Sequence, residues 1–360
     1  MNRDTLLKIL DSARWAPSGD NTQPWRFELV SDCHIAVHGH DTRRHVVYDF
    51  DGHASHIAHG ALLETLRLAA SRFGLRTEWR LRQDCTDTAP IYDVRLEPQA
   101  CPPNPLASFI EQRAVQRRAM RASPLPDTAR QMMAQAAGPA FQLKFFESWT
   151  ERMAVASLLW RNAYVRLTCP EAFPVHRSVI EWHARFSHDR IPERAVGVDP
   201  LTGRLMHWAM KDWRRVEFLN RYLMGTVLPR IQLDLLPAIW CSAHVLLVPR
   251  RPLTSLPDFV AAGEAIQRLW LTATSLQLQL QPEMTPVIFR WYVQAGRPLS
   301  RNETVNRLLP PLAKRFEALT NSTSQEAFAF FCRIGTSFPP KARSLRKQLK
   351  ELMVGQPVGD

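Results

Sequence analysis

Three features of this 360-residue sequence predict an α+β fold made of two diverged repeats. A helical pattern near the N terminus runs into a pair of short alternating strands. A strand followed by a long amphipathic helix then occurs twice. The two long helices also share a glycine and a leucine at one spacing, G-x-x-x-x-x-L, in Gly60 to Leu66 and Gly263 to Leu269. Apolar residues recurring every 3.6 positions mark the helices, and alternation at period two marks the strands.

The elements follow in order. Residues 5 to 16 read as a helix, residues 17 to 25 as an unusual turn, and 26 to 30 and 34 to 38 as a strand pair separated by Ser31-Asp32. A long helix is expected from about 54 to 73, because Ile57, Ala61, Leu62, Thr65, Leu68 and Ala69 fall on one face and Gly74 suits a C-cap. Strands at 78 to 81 and 91 to 96 complete a first unit, residues 1–100. The run Cys101-Pro102-Pro103-Asn104-Pro105 breaks regular structure and introduces a second unit, 106–360. There, 106 to 118 and 127 to 137 read as helices, 141 to 146 as a strand and 150 to 168 as a helix. Residues 171–240, with Trp182, Trp208, Trp213 and Trp240, read as a lid-like insertion carrying one turn signal, Asp199 to Gly203. A strand at 243 to 249, a helix at 257 to 276, a loop and a last strand at 327 to 334 resume the first unit's pattern.

Composition narrows the function classes. The chain is 45% apolar, so it can bury a sizeable core. It has no run of the roughly 20 apolar residues that a membrane span needs and no apolar secretory leader after Met1, so a cytoplasmic protein without membrane association is expected. The six cysteines are scattered singly, which suits reduced thiols better than a disulfide framework or a zinc ribbon. The net charge of +12 comes mostly from arginines spread along the chain. Short clusters at 113–118 and 341–350 suit one anionic ligand better than a nucleic acid.

The stretch ARWAPSGDNTQPWRF, residues 13 to 27, packs two prolines, a glycine, small polar side chains and a tryptophan into one corner. Ala16, Pro17, Ser18, Asn21, Gln23, Pro24 and Trp25 resemble the A-P-S-x-x-N-x-Q-P-W motif of the flavin-binding nitroreductase superfamily. Further pieces agree. Arg113-Ala114-Val115-Gln116-Arg117-Arg118 resembles that family's R-x-S-x-R phosphate motif, departing at Val115 where a hydroxyl is usual. Residues 263 to 282 resemble its long core helix and following loop, which puts Gln281, Pro282, Met284 and Thr285 against the isoalloxazine; the usual Gly-Leu after the helix is here Leu276-Gln277-Leu278. Residues 332 to 346 resemble its final strand and basic phosphate contact, with Arg346 and Ser344 as candidates.

The resemblance implies an FMN-dependent nitroreductase-like fold in which two repeats form an intramolecular pseudo-dimer, as in the Acg-like and ThiF-associated tandem branch. Ser18, Asn21 and Gln23 would come from one repeat, and Arg113, Arg117 and Arg118 from the start of the other. The serine-asparagine turn and the arginine motif each occur once, so one FMN per chain is expected, in a monomer or weak dimer. Guanidinium groups suit a dianionic phosphate through bidentate, charge-assisted hydrogen bonds. The implied activity is hydride or electron transfer through flavin N5 to a small organic substrate, with NAD(P)H as a candidate donor and no catalytic side chain assigned. Two other readings stand beside it. One is a protein that sequesters or stores FMN under the 171–240 insertion. The other is a flavin-dependent dehydrogenase or oxidase tailoring a small molecule or peptide with a protein partner.

Seven of the twelve histidines fall between His34 and His59, and His53, His56 and His59 recur every three residues. That spacing drifts around a helix without stacking on one face, and no cysteine or carboxylate set completes a shell, so no metal is expected.

Overall fold

Gly60 and Gly263 set how closely the two long helices cross. These helices run over His53–Ser71 and Leu256–Ser275. A Cβ on Gly60 would lie 1.9 Å from the carbonyl oxygen of Val260, and one on Gly263 would lie 2.0 Å from that of Ile57. The contacts are reciprocal: each glycine meets the carbonyl three residues before the other glycine. One turn further on the reciprocity continues, with Gln267 Nε2 donating to Thr65 Oγ1 at 2.9 Å and Arg268 Nη1 donating to Glu64 Oε2 at 3.3 Å.

The computed structural model describes residues 2–99 and 102–355. Ala100 and Cys101, where the sequence places a boundary, lie outside the described residues. Around the crossed helices stand two four-stranded antiparallel sheets. The N-terminal sheet comprises Trp25–Ser31, His34–Gly39, Leu75–Leu81 and Ile91–Pro98; the C-terminal one comprises Phe141–Phe146, Ala243–Pro249, Leu278–Pro282 and Phe330–Thr336. In both, the spatial order is first, second, fourth, third, and the long helix joins the second strand to the third. A helix of 11 residues precedes each first strand, Arg3–Ala13 and Asp127–Ala137.

Each sheet has its own apolar core, and the long helices are shared between them. Trp25, Phe27 and Tyr92 anchor the N-terminal core, which also takes Val260 and Leu271 from the second helix. Phe316, Phe328 and Phe331 anchor the C-terminal core, which takes Phe50 and Ile57 from the first half. Each such buried side chain stabilises the fold by about 1.5–3 kcal/mol. Neither half closes its core alone.

Three stretches differ from the sequence reading. Residues 106–118 are not a helix: a short 3-10 turn, Pro105–Phe109, gives way to irregular chain. The backbone there pairs elsewhere, with the N–H groups of Gln116, Met120 and Arg121 donating to the carbonyls of Leu280, Trp240 and Thr336. The stretch after the second long helix is not a plain loop. Leu278 and Leu280 face inward between glutamines, forming the strand Leu278–Pro282, and the helices Thr285–Gln294 and Leu309–Thr320 follow. The expected turn at 199–203 starts a helix, Pro200–Ala209, because Asp199 Oδ1 accepts from the N–H groups of Leu201 and Thr202 and proline suits the first helical position.

The 171–240 insertion lies between the helix Trp149–Thr168 and the strand Ala243–Pro249 and folds into short helices. Its longer ones are Ala172–Val179, Pro200–Ala209 and Trp213–Tyr222. Near its end one π-helical turn, Ile231–Leu235, runs into a short α-helical turn, Leu236–Ile239. Among the described residues, no helix is long and apolar enough to cross a membrane.

Candidate functional site

The N-terminal turn, the irregular 113–117 segment, residues 281–285, the C-terminal 343–346 segment and the insertion enclose one cavity of about 730 Å³. Of the residues singled out in the sequence, Ser18, Asn21, Arg113, Arg117, Gln281, Pro282, Met284, Thr285, Ser344 and Arg346 line it. Gln23 and Arg118 do not. Five distant segments therefore converge, and two of the twelve candidates stand apart.

The turn owes its shape to strained backbone held by side chains. Asp20, Asn21 and Gln23 all have positive φ, at 50°, 65° and 50°. Left-handed backbone costs an L-residue about 1–2 kcal/mol, so three in four positions need support. Ser18 Oγ accepts from the Gln23 N–H at 3.0 Å. The Gln23 side chain, fully buried, donates to the carbonyls of Asn21 (3.0 Å) and His188 (2.8 Å) and accepts from the Lys347 N–H (2.9 Å). Gln23 thus holds the turn against the insertion and the C-terminal segment. Asn21 Nδ2 and Ser344 Oγ both donate to the Arg190 carbonyl, at 3.3 and 2.9 Å, drawing the same three segments together.

Behind the turn lies a group of arginines without carboxylate partners. Arg113 Nη2 donates to the Trp15 carbonyl at 3.0 Å, and Arg346 Nε donates to the neighbouring Ala16 carbonyl at 3.0 Å. Arg343 lies over the Trp15 ring, 5.2 Å from its centre, and Arg113 lies over Trp270 at 4.5 Å. Among the described residues, none of the three makes an ion pair. Burial, with Arg346 and Arg343 adding repulsion, holds Arg113 well below the usual guanidinium range. Burial and the charges of Arg343 and Arg14 push Arg346 down to about 9. Crowded, desolvated cations of this kind are matched by an anion. Arg343 went unassigned in the sequence reading, although its spacing three residues before Arg346 in one basic run is visible there. Arg118 is exposed and reaches only the Arg194 carbonyl, at 3.4 Å.

Arg117 is a further guanidinium lining the cavity. Burial lowers it to about 10, against the opposing pull of Asp20. Its backbone carbonyl accepts from Arg333 Nη2 at 2.7 Å, and Arg333 Nη1 donates to Glu283 Oε1 at 2.8 Å. The other Glu283 oxygen meets His244 Nδ1 at 2.6 Å. Burial alone would lower the His244 ring, but the Glu283 carboxylate and the Cys241 sulfur raise it to about 10. This buried chain fixes the segment that carries Gln281 to Thr285. The helix Thr285–Gln294 begins there without a side-chain cap, which leaves first-turn N–H groups without a side-chain partner.

Polar atoms distinguish the ends of the cavity. Asn21 Oδ1, Arg113 Nε, Gln281 Oε1 and Arg343 Nε make no hydrogen bond. Each belongs to a lining residue of the turn, the arginine group or the 281–285 segment. On the insertion side the main polar groups are paired, with Arg166 Nε the exception. Tyr48 Oη meets His176 Nε2 at 2.9 Å, and Arg166 Nη2 donates to both Asp234 oxygens at 3.1 and 2.8 Å. Burial pushes His176 down to about 3, which keeps the ring neutral near pH 7. Nothing in the sequence signals these pairs, whose partners are 68 or more residues apart.

The histidines of the first long helix serve the fold. His59 meets the Pro24 carbonyl (2.8 Å) and Tyr92 Oη (3.1 Å), His56 meets the Asp87 carbonyl (2.9 Å), and His53 stacks on Phe259. Among the described residues, no group of three or more His, Cys, Asp or Glu side chains is placed to hold a metal ion.

Residues 1–44 match the model of the Nitroreductase family. Among curated proteins no match is found. Among solved structures, the chain is similar to the FMN and NADPH-dependent nitroreductase NfnB from Sphigopyxis sp. strain HMH, at 13% identity over 71% of this chain and 100% of that one, with a TM-score of 0.39. It is similar to a nitroreductase with bound FMN from Desulfitobacterium hafniense DCB-2, at 14% identity over 68% and 95% of the two chains (TM-score 0.38). A third is the FMN-dependent nitroreductase NfnB from Mycobacterium smegmatis in complex with NADPH, at 14% identity over 68% and 96% (TM-score 0.36). The family match over residues 1–44 includes the turn from Ala16 to Trp25.

Proposed function

We propose that the chain is an FMN-dependent oxidoreductase of the nitroreductase family that holds one FMN in the 730 Å³ cavity. The observation that carries this reading is the convergence of the A-P-S-x-x-N turn with three buried or half-buried guanidiniums that have no carboxylate partner. Arg113, Arg343 and Arg346 bind the phosphate. Ser18, whose hydroxyl hydrogen stays free while its oxygen accepts from Gln23, and Asn21, with Oδ1 unpaired, bind the ribityl chain or ring edge. Gln281, Pro282, Met284 and Thr285 face the ring. When bound, the flavin supplies hydride transfer; the chain binds it, orients it and shields it from water. NADPH, bound by the Mycobacterium smegmatis relative, is the first candidate donor.

The finer organisation is part of the same proposal. Equal strand order in the two sheets and the reciprocal glycine contacts support two diverged repeats, 1–100 and 106–360, acting as an intramolecular pseudo-dimer of the Acg-like or ThiF-associated kind. Purified protein should then be yellow, with one FMN per chain. Colourless protein that takes up no FMN at micromolar excess refutes the reading.

A second reading, FMN sequestration without turnover, is favoured by one observation: the 171–240 insertion forms a whole wall of the cavity. Anaerobic mixing with NADH or NADPH separates the two. Bleaching of the bound flavin supports the oxidoreductase, and an unreduced spectrum supports sequestration.

A further inference from the structure

The helices Pro200–Ala209 and Trp213–Tyr222 carry apolar stripes at helical spacing, including Met206 and Met210 on the first and Val216 and Leu219 on the second. Such a stripe ordinarily packs into a core. Here the nearby apolar cluster is small, with Ile180, Ile191 and Val196 as its buried members; Met206 packs against it, and the stripes also line the cavity. The same wall reaches solvent through apolar side chains: Leu205, Leu223, Met224 and Leu228 line the cavity and are exposed by 45%, 62%, 73% and 43%. Exposed apolar residues grouped around an opening mark a binding surface. Methionines add a lining that adapts to an unbranched, flexible occupant.

The polar side chains facing this lobe are already engaged, Tyr48 with His176 and Arg166 with Asp234. Arg166 Nε makes no hydrogen bond among the described residues and is itself shut off from solvent. Tyr48 resists ionisation because burial holds its pKa well up, and His176 is neutral. The lobe therefore offers an apolar surface whose polar neighbours are already engaged.

We propose that the substrate carries an extended aliphatic chain, which enters between Leu205, Leu223, Met224 and Leu228 and lies along the wall formed by residues 200–233. The proposal rests on the flavin reading only for the chemistry at the other end of the cavity.

The test is a series of n-alkanols from 6 to about 14 carbons, titrated into the full-length protein with and without FMN and followed by tryptophan fluorescence, since Trp213 lines the cavity. Affinity should tighten about threefold to fourfold per added methylene until the chain outgrows the lobe. The double variant Leu223→Asp, Met224→Asp should flatten that slope without lowering the melting temperature, because both side chains are more than half exposed. A Kd independent of chain length, or an unchanged slope in the double variant, overturns the proposal. Outcomes with FMN keep the two ideas apart. A chain-length slope in protein that binds no FMN sinks the flavin reading alone, and FMN binding without a slope sinks this one alone.

Discussion

Replacing Arg346 with methionine should affect the free protein and the FMN complex in opposite directions. The side chain is 6% exposed, and Arg343 and Arg14 add to the desolvation that lowers its pKa to about 9. In the free chain it therefore sits as a buried cation among cations, offset by hydrogen bonds to the carbonyls of Ala16 (3.0 Å) and Leu345 (2.7 Å). A methionine, which ends about where Nε stands, keeps the packing along the stem, relieves the repulsion and gives up those two bonds, so the melting temperature without FMN should hold or rise. With FMN the balance reverses. Losing one charge-assisted contact to the phosphate costs about 1.5–3 kcal/mol, which is roughly a 10- to 150-fold weaker Kd. Differential scanning fluorimetry without FMN and flavin-fluorescence titration measure the two effects. A lower melting temperature together with unchanged FMN affinity refutes the phosphate role and makes Arg346 a strut for the Ala16 carbonyl.

Other outcomes follow from the same geometry. Gly60→Ala and Gly263→Ala each place a Cβ about 2 Å from a backbone oxygen and should destabilise by more than the about 1–3 kcal/mol of ordinary overpacking; an unmoved urea midpoint would contradict the close crossing. Gln23→Ala removes three buried hydrogen bonds and should lower stability by at least about 1–3 kcal/mol, and an unchanged melting temperature would show that the turn stands without it. His244, raised to about 10 beside Glu283, contributes stability that is complete below its unfolded value of 6.5 and is lost as pH rises through about 10. Melting temperature should therefore decline over that window in the native protein and decline less in His244→Gln; parallel pH profiles would count against the pair.

Much of the site was legible because its residue types are unusual where they stand. Nothing about a helix or strand calls for Pro17, Ser18, Asn21, Gln23, Pro24 and Trp25 in one corner, and the corner proved to need three left-handed residues to form. The two long helices were legible through their apolar spacing, and the glycines they share proved to be their mutual contact. The sequence misled where non-local pairing overrides local preference. Residues 106–118 have helical composition, but the Gln116 N–H is taken by the Leu280 carbonyl, 164 positions away, and a single chain segment gives no sign of that. Gln23 matched a cofactor motif, yet its amide is spent on the backbone. The Tyr48–His176 and Arg166–Asp234 pairs join the insertion to other parts of the chain and become visible only when the chain is folded.

The hydrogen bond from Arg346 to the Ala16 carbonyl spans 330 positions, and Arg14 reaches Lys347 across 333. Closing so long a loop costs entropy that is repaid only after both sheets have formed. During synthesis Ala16 leaves the ribosome 330 positions ahead of Arg346. Arg113, 98 positions after Trp15, is made long before Arg346, so the turn's cationic partners arrive in two stages. A chain truncated before residue 343 would carry the N-terminal motif and Arg113 but lack Arg343 and Arg346.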